Sequence, residues 1–307
     1  MSPSQKEISE VLLKKRLQII WGPPGSGKTY FLALFTTRYL STFTDTNKRY
    51  VIGVTAFAKD AIANLLERIS FTRNYYKHYD KFTIFSMIEN VKRDGIEVCE
   101  EEDLSKKIAE CTNGSIVIGD EGSQLLVSDA ILAIECLNPK TGKLIVAGDH
   151  MQLGPIIKNS YPTFHSDHPL IFGSIQQCLM RREDRSIIHE ENLKEQKYDF
   201  GPLTTQLKEN WQMNEELNGF FQKIYGRNYI SRNPNLKLAL DDQKLSQLED
   251  LRIRRILSPE SAIKIETDVV EKIISSYFES LKAEENQKLF IIAPYQITIK
   301  KNHMKNI

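Results

Sequence analysis

Lys28 and Thr29 end the stretch Gly22-Pro23-Pro24-Gly25-Ser26-Gly27-Lys28-Thr29, which fits G-x-x-x-x-G-K-[ST]. The apolar run Leu17-Gln18-Ile19-Ile20 precedes it, and an aliphatic and aromatic segment that reads as helix follows. Those residue types at that spacing suit a triphosphate. Glycines let backbone N–H groups approach phosphate oxygens, the helix start offers unpaired N–H groups and a partial positive charge, and the lysine adds a full one. The Thr29 hydroxyl is placed to hold Mg²⁺, and Tyr30 is grouped with the loop as a nucleotide contact.

Two further segments carry complementary chemistry. The run Ser115-Ile116-Val117-Ile118 delivers Asp120 and Glu121 together at its carboxyl end. In that pair Asp120 suits the Mg²⁺ shell, and Glu121 suits orienting and deprotonating a water. The run Lys143-Leu144-Ile145-Val146-Ala147 leads into Gly148-Asp149-His150-Met151-Gln152-Leu153-Gly154-Pro155. There the Gln152 amide can hydrogen-bond both a terminal phosphate and the attacking water, and so report whether that phosphate is present.

Positioning these groups requires a scaffold that brings several loops to one edge. Short apolar runs at 17–21, 50–54, 115–119 and 143–147, with 82–85 as a weaker fifth, alternate with helical patterns such as 58–69. That alternation predicts an α/β fold built on a parallel sheet, whose ligands bind at the carboxyl ends of the strands. Further along, 268–281 reads as helix and 288–293 as a buried strand stopped by Pro294. The acidic block 97–103 and the densely charged 181–199 read as solvated linkers or helix faces.

Composition narrows the class. The 307 residues, 41% hydrophobic and 26% charged, suit a globular protein with room for two domains. A net charge of +1 announces no global basic field, although a local groove is sufficient to hold nucleic acid. Cys99, Cys111, Cys136 and Cys178 form no C-x-x-C pair and suggest reduced thiols in an intracellular protein, cytoplasmic or nuclear. His165 and His168 form an isolated pair with no supporting ligands, so no metal site is expected there. The start is too polar for a signal peptide, and no window reads as a membrane span.

Taken in order, GPPGSGKT, DEGSQ and GDHMQLGP resemble motifs I, II and III of superfamily 1 helicases, in the subgroup related to the nonsense-mediated-decay RNA helicase. Gln5, 17 residues before Gly22, stands where that family has the glutamine that reads adenine. The segment from Val54 to Leu65 resembles motif Ia and offers Thr55, Lys59 and Asn64 to single-stranded nucleic acid. "LKENWQMNEELNGFF" and "IIAPYQ" resemble the entry into a second RecA-like domain, with Trp211 placed to stack on the base. The resemblance implies a P-loop NTPase with a RecA-like domain over 1–203, a charged insertion near 181–199, and an incomplete second RecA-like domain over 204–307. It also implies ATP and Mg²⁺ as cofactors, single-stranded RNA or DNA as partner, and 5′ to 3′ helicase or translocase activity.

Two departures qualify that expectation. Gln212 stands where the family has a phosphate-reaching arginine, and a neutral amide stabilises developing charge less well than a guanidinium. Arg227 is a conceivable substitute that sequence cannot place. Later motifs of the second domain do not follow Gln296, so a partial motor is expected. A nucleotide-regulated module that grips nucleic acid or protein without turnover is therefore the alternative reading. An ATPase of the AAA+ or kinase type shares the first motif alone. The aromatics Phe71, Tyr75, Tyr76 and Tyr79, interleaved with Arg73, Lys77, His78 and Lys81, fit either base stacking or the anchoring of a half-buried loop.

Overall fold

A computed structural model describes residues 1–42, 51–78, 82–88, 95–100, 102–103, 115–156, 173–184, 186 and 200–234. Its centre is a five-stranded, all-parallel sheet of β1 (Leu17–Trp21), β2 (Val51–Thr55), β5 (Ser115–Gly119), β6 (Lys143–Gly148) and β7 (Thr204–Gln206), in the order β2-β5-β6-β1-β7. Trp21 lies level with Gly148, and Thr55 with Gly119, so the strand ends that carry the predicted chemistry form one edge.

Both faces of this sheet are covered, which is why its inner strands read as continuous apolar runs. Alternation divides their side chains. Ile20, Ile116, Ile118, Ile145 and Ala147 pack on one side with Ile8 and Leu12 of α1 (Pro3–Lys14). Phe31, Leu32 and Phe35 of α2 (Lys28–Thr42) and Leu65, Leu66 and Ile69 of α3 (Lys59–Tyr75) complete that core. On the opposite face Val146 meets Val127 and Ala130 of α4 (Val127–Ile134) and Ile175 of α5 (Ile175–Leu179). Beside it Ile19 and Trp21 meet Tyr225, at the end of α6 (Glu215–Tyr225), together with Met180, Phe200 and Tyr229.

The structure differs from the sequence reading at three places. Residues 82–85 do not join the main sheet. Strand β3 (Ile84–Ser86) instead pairs with β4 (Ile96–Val98) in a separate ribbon. Arg73 departs from the base-stacking reading of its segment and fits the anchoring one. It is buried, and its guanidinium donates to the carbonyls of Phe82 (2.9 Å) and Gly95 (3.0 Å), clamping that ribbon to α3. Finally, a boundary after residue 203 would cut the main sheet, because β7 pairs with β1 at Ile19↔Thr204 and Trp21↔Gln206. As an edge strand, Thr-Thr-Gln needs no apolar run, so periodicity gave no sign of it.

Residues 1–236 form one compact unit, which also contains the short pair β8 (Glu209–Asn210) and β9 (Ile230–Ser231). A second unit, 237–307, lies outside the described residues. So do the helix and strand expected at 268–281 and 288–293, all of 187–199, His165 and His168, Cys111, Tyr79 and Lys81. No helix among the described residues is long and apolar enough to cross a membrane, and none of their His, Cys, Asp and Glu side chains cluster as a metal site.

Leu65 has no exposed surface, whereas Leu132 on α4 is 69% exposed. Leu65→Ala is expected to lower stability by about 2–5 kcal/mol through lost burial and a residual cavity, and Leu132→Ala by no more than about 0.5 kcal/mol. Urea midpoints at unchanged m-value measure both.

Candidate nucleotide site

Strand β1 ends at Trp21, and the chain turns at once into the glycine-rich loop. The Gly22 amide donates to the Gly148 carbonyl (2.9 Å), so the first glycine is tied to the end of the neighbouring strand. Gly25 (φ 82°) and Gly27 (φ 73°) take left-handed backbone that a side chain would strain. At Gly25 a Cβ would also lie 2.5 Å from Asn210 Oδ1. The Gly25 carbonyl accepts from the Trp211 amide (2.8 Å), and the Pro24 carbonyl accepts from the Tyr229 hydroxyl. Pro23 is buried, and Thr29 and the exposed Tyr30 stand in the first turn of α2.

Lys28 reaches across to motif II: its Nζ lies 3.1 Å from Glu121 Oε1. Asp120 is 2% exposed, its amide donates to the Thr55 carbonyl (2.9 Å), and its Oδ1 accepts from the Glu121 amide (3.0 Å). Burial pushes its carboxyl up to about 6. The Lys28 ammonium opposes the shift, while Glu121 adds to it. A carboxylate short of positive charge in a buried site suits a cation. Glu121 itself has φ 50°, which for a non-glycine residue stores backbone strain beside the functional carboxylates. The Gly122 amide donates to the Ala147 carbonyl (2.8 Å), pinning this loop against β6.

Beyond β6, Gln152 is exposed on the turn, with its amide donating to the Asp149 carbonyl (3.0 Å). Asp149 was not assigned a role from the sequence, yet it organises this turn. Its fully buried carboxylate accepts from Trp21 Nε1 (2.9 Å), the Tyr225 hydroxyl (2.8 Å) and the Met151 amide (3.1 Å). Burial and the Asp149 charge drive the Tyr225 hydroxyl upward, so it stays a donor. Only the G-D start of GDHMQLGP hinted at this residue.

At the other end of the loop, Gln5 and Trp211 converge on Gly27. A Cβ on Gly27 would lie 3.5 Å from Trp211 Cδ1 and 3.8 Å from Gln5 Nε2. Asn210 shapes the turn that carries Trp211, its Oδ1 accepting from the Gln212 (3.0 Å) and Met213 (3.1 Å) amides. Its Nδ2 donates to Asn218 Oδ1 (3.0 Å). The Gln212 Cβ sits 3.3 Å from the Gly25 Cβ position, at the rim of the loop. Arg227 is exposed, and nothing among the described residues ties its side chain to this site.

The residues expected to hold nucleic acid are gathered less tightly. Thr55 ends β2, an edge strand three positions from β1, so it stands on the same sheet edge at roughly 14 Å along it. Lys59 and Asn64 are both exposed on α3, but five residues separate them by about 140° around the helix. Phe71, Tyr75 and Tyr76 are exposed at the far end of α3, with Phe71 and Tyr75 stacked at 6.5 Å. About 24 Å of helix divides Tyr75 from Lys59, at 1.5 Å per residue, so they do not extend the edge on which the loops converge.

Residues 5–158 match the model of the AAA domain family. The chain belongs to that family. A Danio rerio protein named as a helicase, mov-10-B.2, is 25% identical across 54% of this chain, and the chain spans only 18% of that protein's length. The family match and this relative bear out the likeness to superfamily 1 helicases carried by the motifs. The Pif1 helicase of Candida albicans is 14% identical over 85% of this chain and 46% of its own, with a TM-score of 0.34. A Bacteroides Pif1 bound to single-stranded DNA is 16% identical over 51% and 34%, at 0.29. Scores this low leave the fold to be read from the chain's own parallel sheet.

His150 is buried beside Asp149, with its ring 4.9 Å from those of Trp21 and Phe200. Among the described residues neither of its ring nitrogens has a hydrogen-bond partner. Burial holds its pKa down to about 4, against the pull of the Asp149 charge. As pH falls the unfolded chain takes up this proton first. The His150 contribution is therefore complete above about 6.5 and is lost as pH drops towards 4, by about 3 kcal/mol in all. Urea unfolding from pH 8 to 4 should show a decline that His150→Phe removes between 6.5 and 4.

Proposed function

We propose that this chain carries the ATP-binding and hydrolysing lobe of an intracellular helicase or translocase that moves 5′ to 3′ on single-stranded RNA or DNA. The observation that carries the reading is the convergence at one sheet edge of Lys28, Glu121 and the electron-rich Asp120, with Gln5 and Trp211 at Gly27.

Each group then has a task. The amides of the loop from Gly22 to Thr29 cradle the phosphates, and Ser26, whose buried hydroxyl has no partner among the described residues, is available to them. Thr29 and Asp120 are the residues that would hold Mg²⁺, which supplies charge neutralisation across the phosphates when bound. Lys28 is paired with Glu121. A triphosphate competes for Lys28, and its capture frees Glu121 to accept a proton from the attacking water. Gln152, on the turn fixed by Asp149, is suited to sense the terminal phosphate. Gln5 and Trp211 hold the base by hydrogen bonding and stacking. Thr55, Lys59 and Asn64 contact the nucleic-acid backbone, so that affinity falls with added salt.

Gln212 favours a second reading, a nucleotide-regulated module with little turnover. It sits at the rim of the loop, where a guanidinium would add stabilisation that an amide lacks. Phosphate release measured with and without single-stranded RNA or DNA separates the two: stimulation by the polymer supports the motor, and its absence the passive module.

Three variants test the assignments. Lys28→Ala is expected to abolish ATP binding in a titration that the wild-type protein saturates. Glu121→Gln is expected to retain binding and reduce turnover by about a hundredfold or more, the scale of a lost general base. Gln212→Arg is expected to raise turnover at least about tenfold, in the direction of the arginine effect on phosphoryl transfer. An unchanged rate in that variant would remove Gln212 as the limiting departure.

A further inference from the structure

We propose that Glu209 is the positioning residue of the nucleobase pocket, a latch that holds Gln5 against Trp211 and Gly27. The proposal rests on the nucleotide reading above and adds to it a residue that touches neither base nor phosphate.

The first turn of α1 explains why a latch is needed. A helix leaves its first N–H groups without partners, and here each is accounted for separately. Pro3 has none, and the Gln5 amide donates to the hydroxyl of the capping residue Ser2 (3.4 Å). The Ser4 amide has no local partner and donates instead to Glu209 Oε1 (3.2 Å), 205 residues away. The Ser4 hydroxyl donates to Glu209 Oε2 and accepts from the Lys208 amide (3.3 Å). A carboxylate at that end of the helix also meets the positive pole of its dipole.

Glu209 is 5% exposed, with Arg232 Nη2 at 3.8 Å as its charge partner. Burial works against its ionisation, but hydrogen bonds from Ser4 and Ser2 and the Arg232 charge outweigh this and hold the carboxyl below its ordinary range. It therefore stays a double acceptor for Ser4 at neutral pH. The consequence is geometric: β8 fixes both sides of the pocket, with Glu209 gripping the turn that presents Gln5 and the next residue, Asn210, shaping the turn that presents Trp211. Gln5 has little other freedom. Its Oε1 accepts from the Ser2 amide (3.0 Å), and its Nε2 is the atom turned towards Gly27.

The test compares ATP with inorganic tripolyphosphate, which has the phosphates and no base, on the full 307-residue chain with Mg²⁺. Glu209→Ala is expected to weaken ATP about tenfold, the scale of a lost charge-assisted hydrogen bond, and to leave tripolyphosphate within about twofold of wild type. Ser4→Ala, which keeps the backbone contact, is expected to act in the same direction by less. In a Gln5→Ala background Glu209→Ala should cause no further loss, because its effect runs through Gln5. Equal loss of both ligands would mark a general folding defect and overturn the latch, as would unchanged ATP affinity or full additivity with Gln5→Ala. Wild-type protein that binds neither ligand would overturn the nucleotide reading itself, and the latch with it.

Discussion

A carboxylate, Asp120, is buried at the end of a parallel strand with one lysine near it, and much of the site follows from that constraint. Removing such a group from water is unfavourable, and the attraction of Lys28 does not cancel it, which is why its carboxyl sits near 6. The neighbouring Glu121 carboxylate adds to the imbalance. A site that is short of positive charge and held by backbone bonds to Thr55 and Ala147 cannot relax by rotating outward. It is set up to gain a cation, and the glycine-rich loop beside it is set up to gain an anion. The Lys28–Glu121 pair joins the two.

Parallel pairing makes this arrangement possible at little local cost. Strands that run the same way deliver all their carboxyl ends to one edge, so Lys28 and Glu121 pair there although nothing near them in sequence draws them together, and the turn carrying Gln152 follows another strand end on that edge. The side proposed to hold the base has a different origin. It is built from the first turn of α1 and from the β8 segment, and each needs the other: Ser4 lacks an acceptor without Glu209, and Trp211 is aimed by Asn210 and the Gly25 carbonyl. The proposed phosphate side belongs to the sheet, and the proposed base side is closed by chain from both ends of the unit.

That division explains what could be read from the sequence. Strands β1 and β5 coincide with their apolar runs, and β2 and β6 differ from theirs by one residue, because strands covered on both faces must be apolar throughout. The loop from Gly22 to Thr29 was legible because glycine spacing encodes a backbone shape locally. Strand β7 was not, since an edge strand can be Thr-Thr-Gln, and it lies just past the boundary expected after residue 203 while pairing with β1 before it. Arg73 was grouped with surface aromatics on spacing, whereas its partners Phe82 and Gly95 are fixed by tertiary packing. Gln5 was located by resemblance, but its tether to Glu209 spans 205 residues, and no local pattern encodes such a pair.

Asp149 gives a physical route between the two halves of the site. Its carboxylate joins the turn carrying Gln152 to Trp21, the last residue before the glycine-rich loop, and to Tyr225, the last residue of α6. Asn218, one helical turn into α6, holds the Asn210 side chain that aims Trp211. The turn carrying Gln152 is thereby tied both to the residue before the glycine-rich loop and to α6. A buried carboxylate with three donors resists giving up any one of them, because an unpaired charge in that environment is strongly unfavourable.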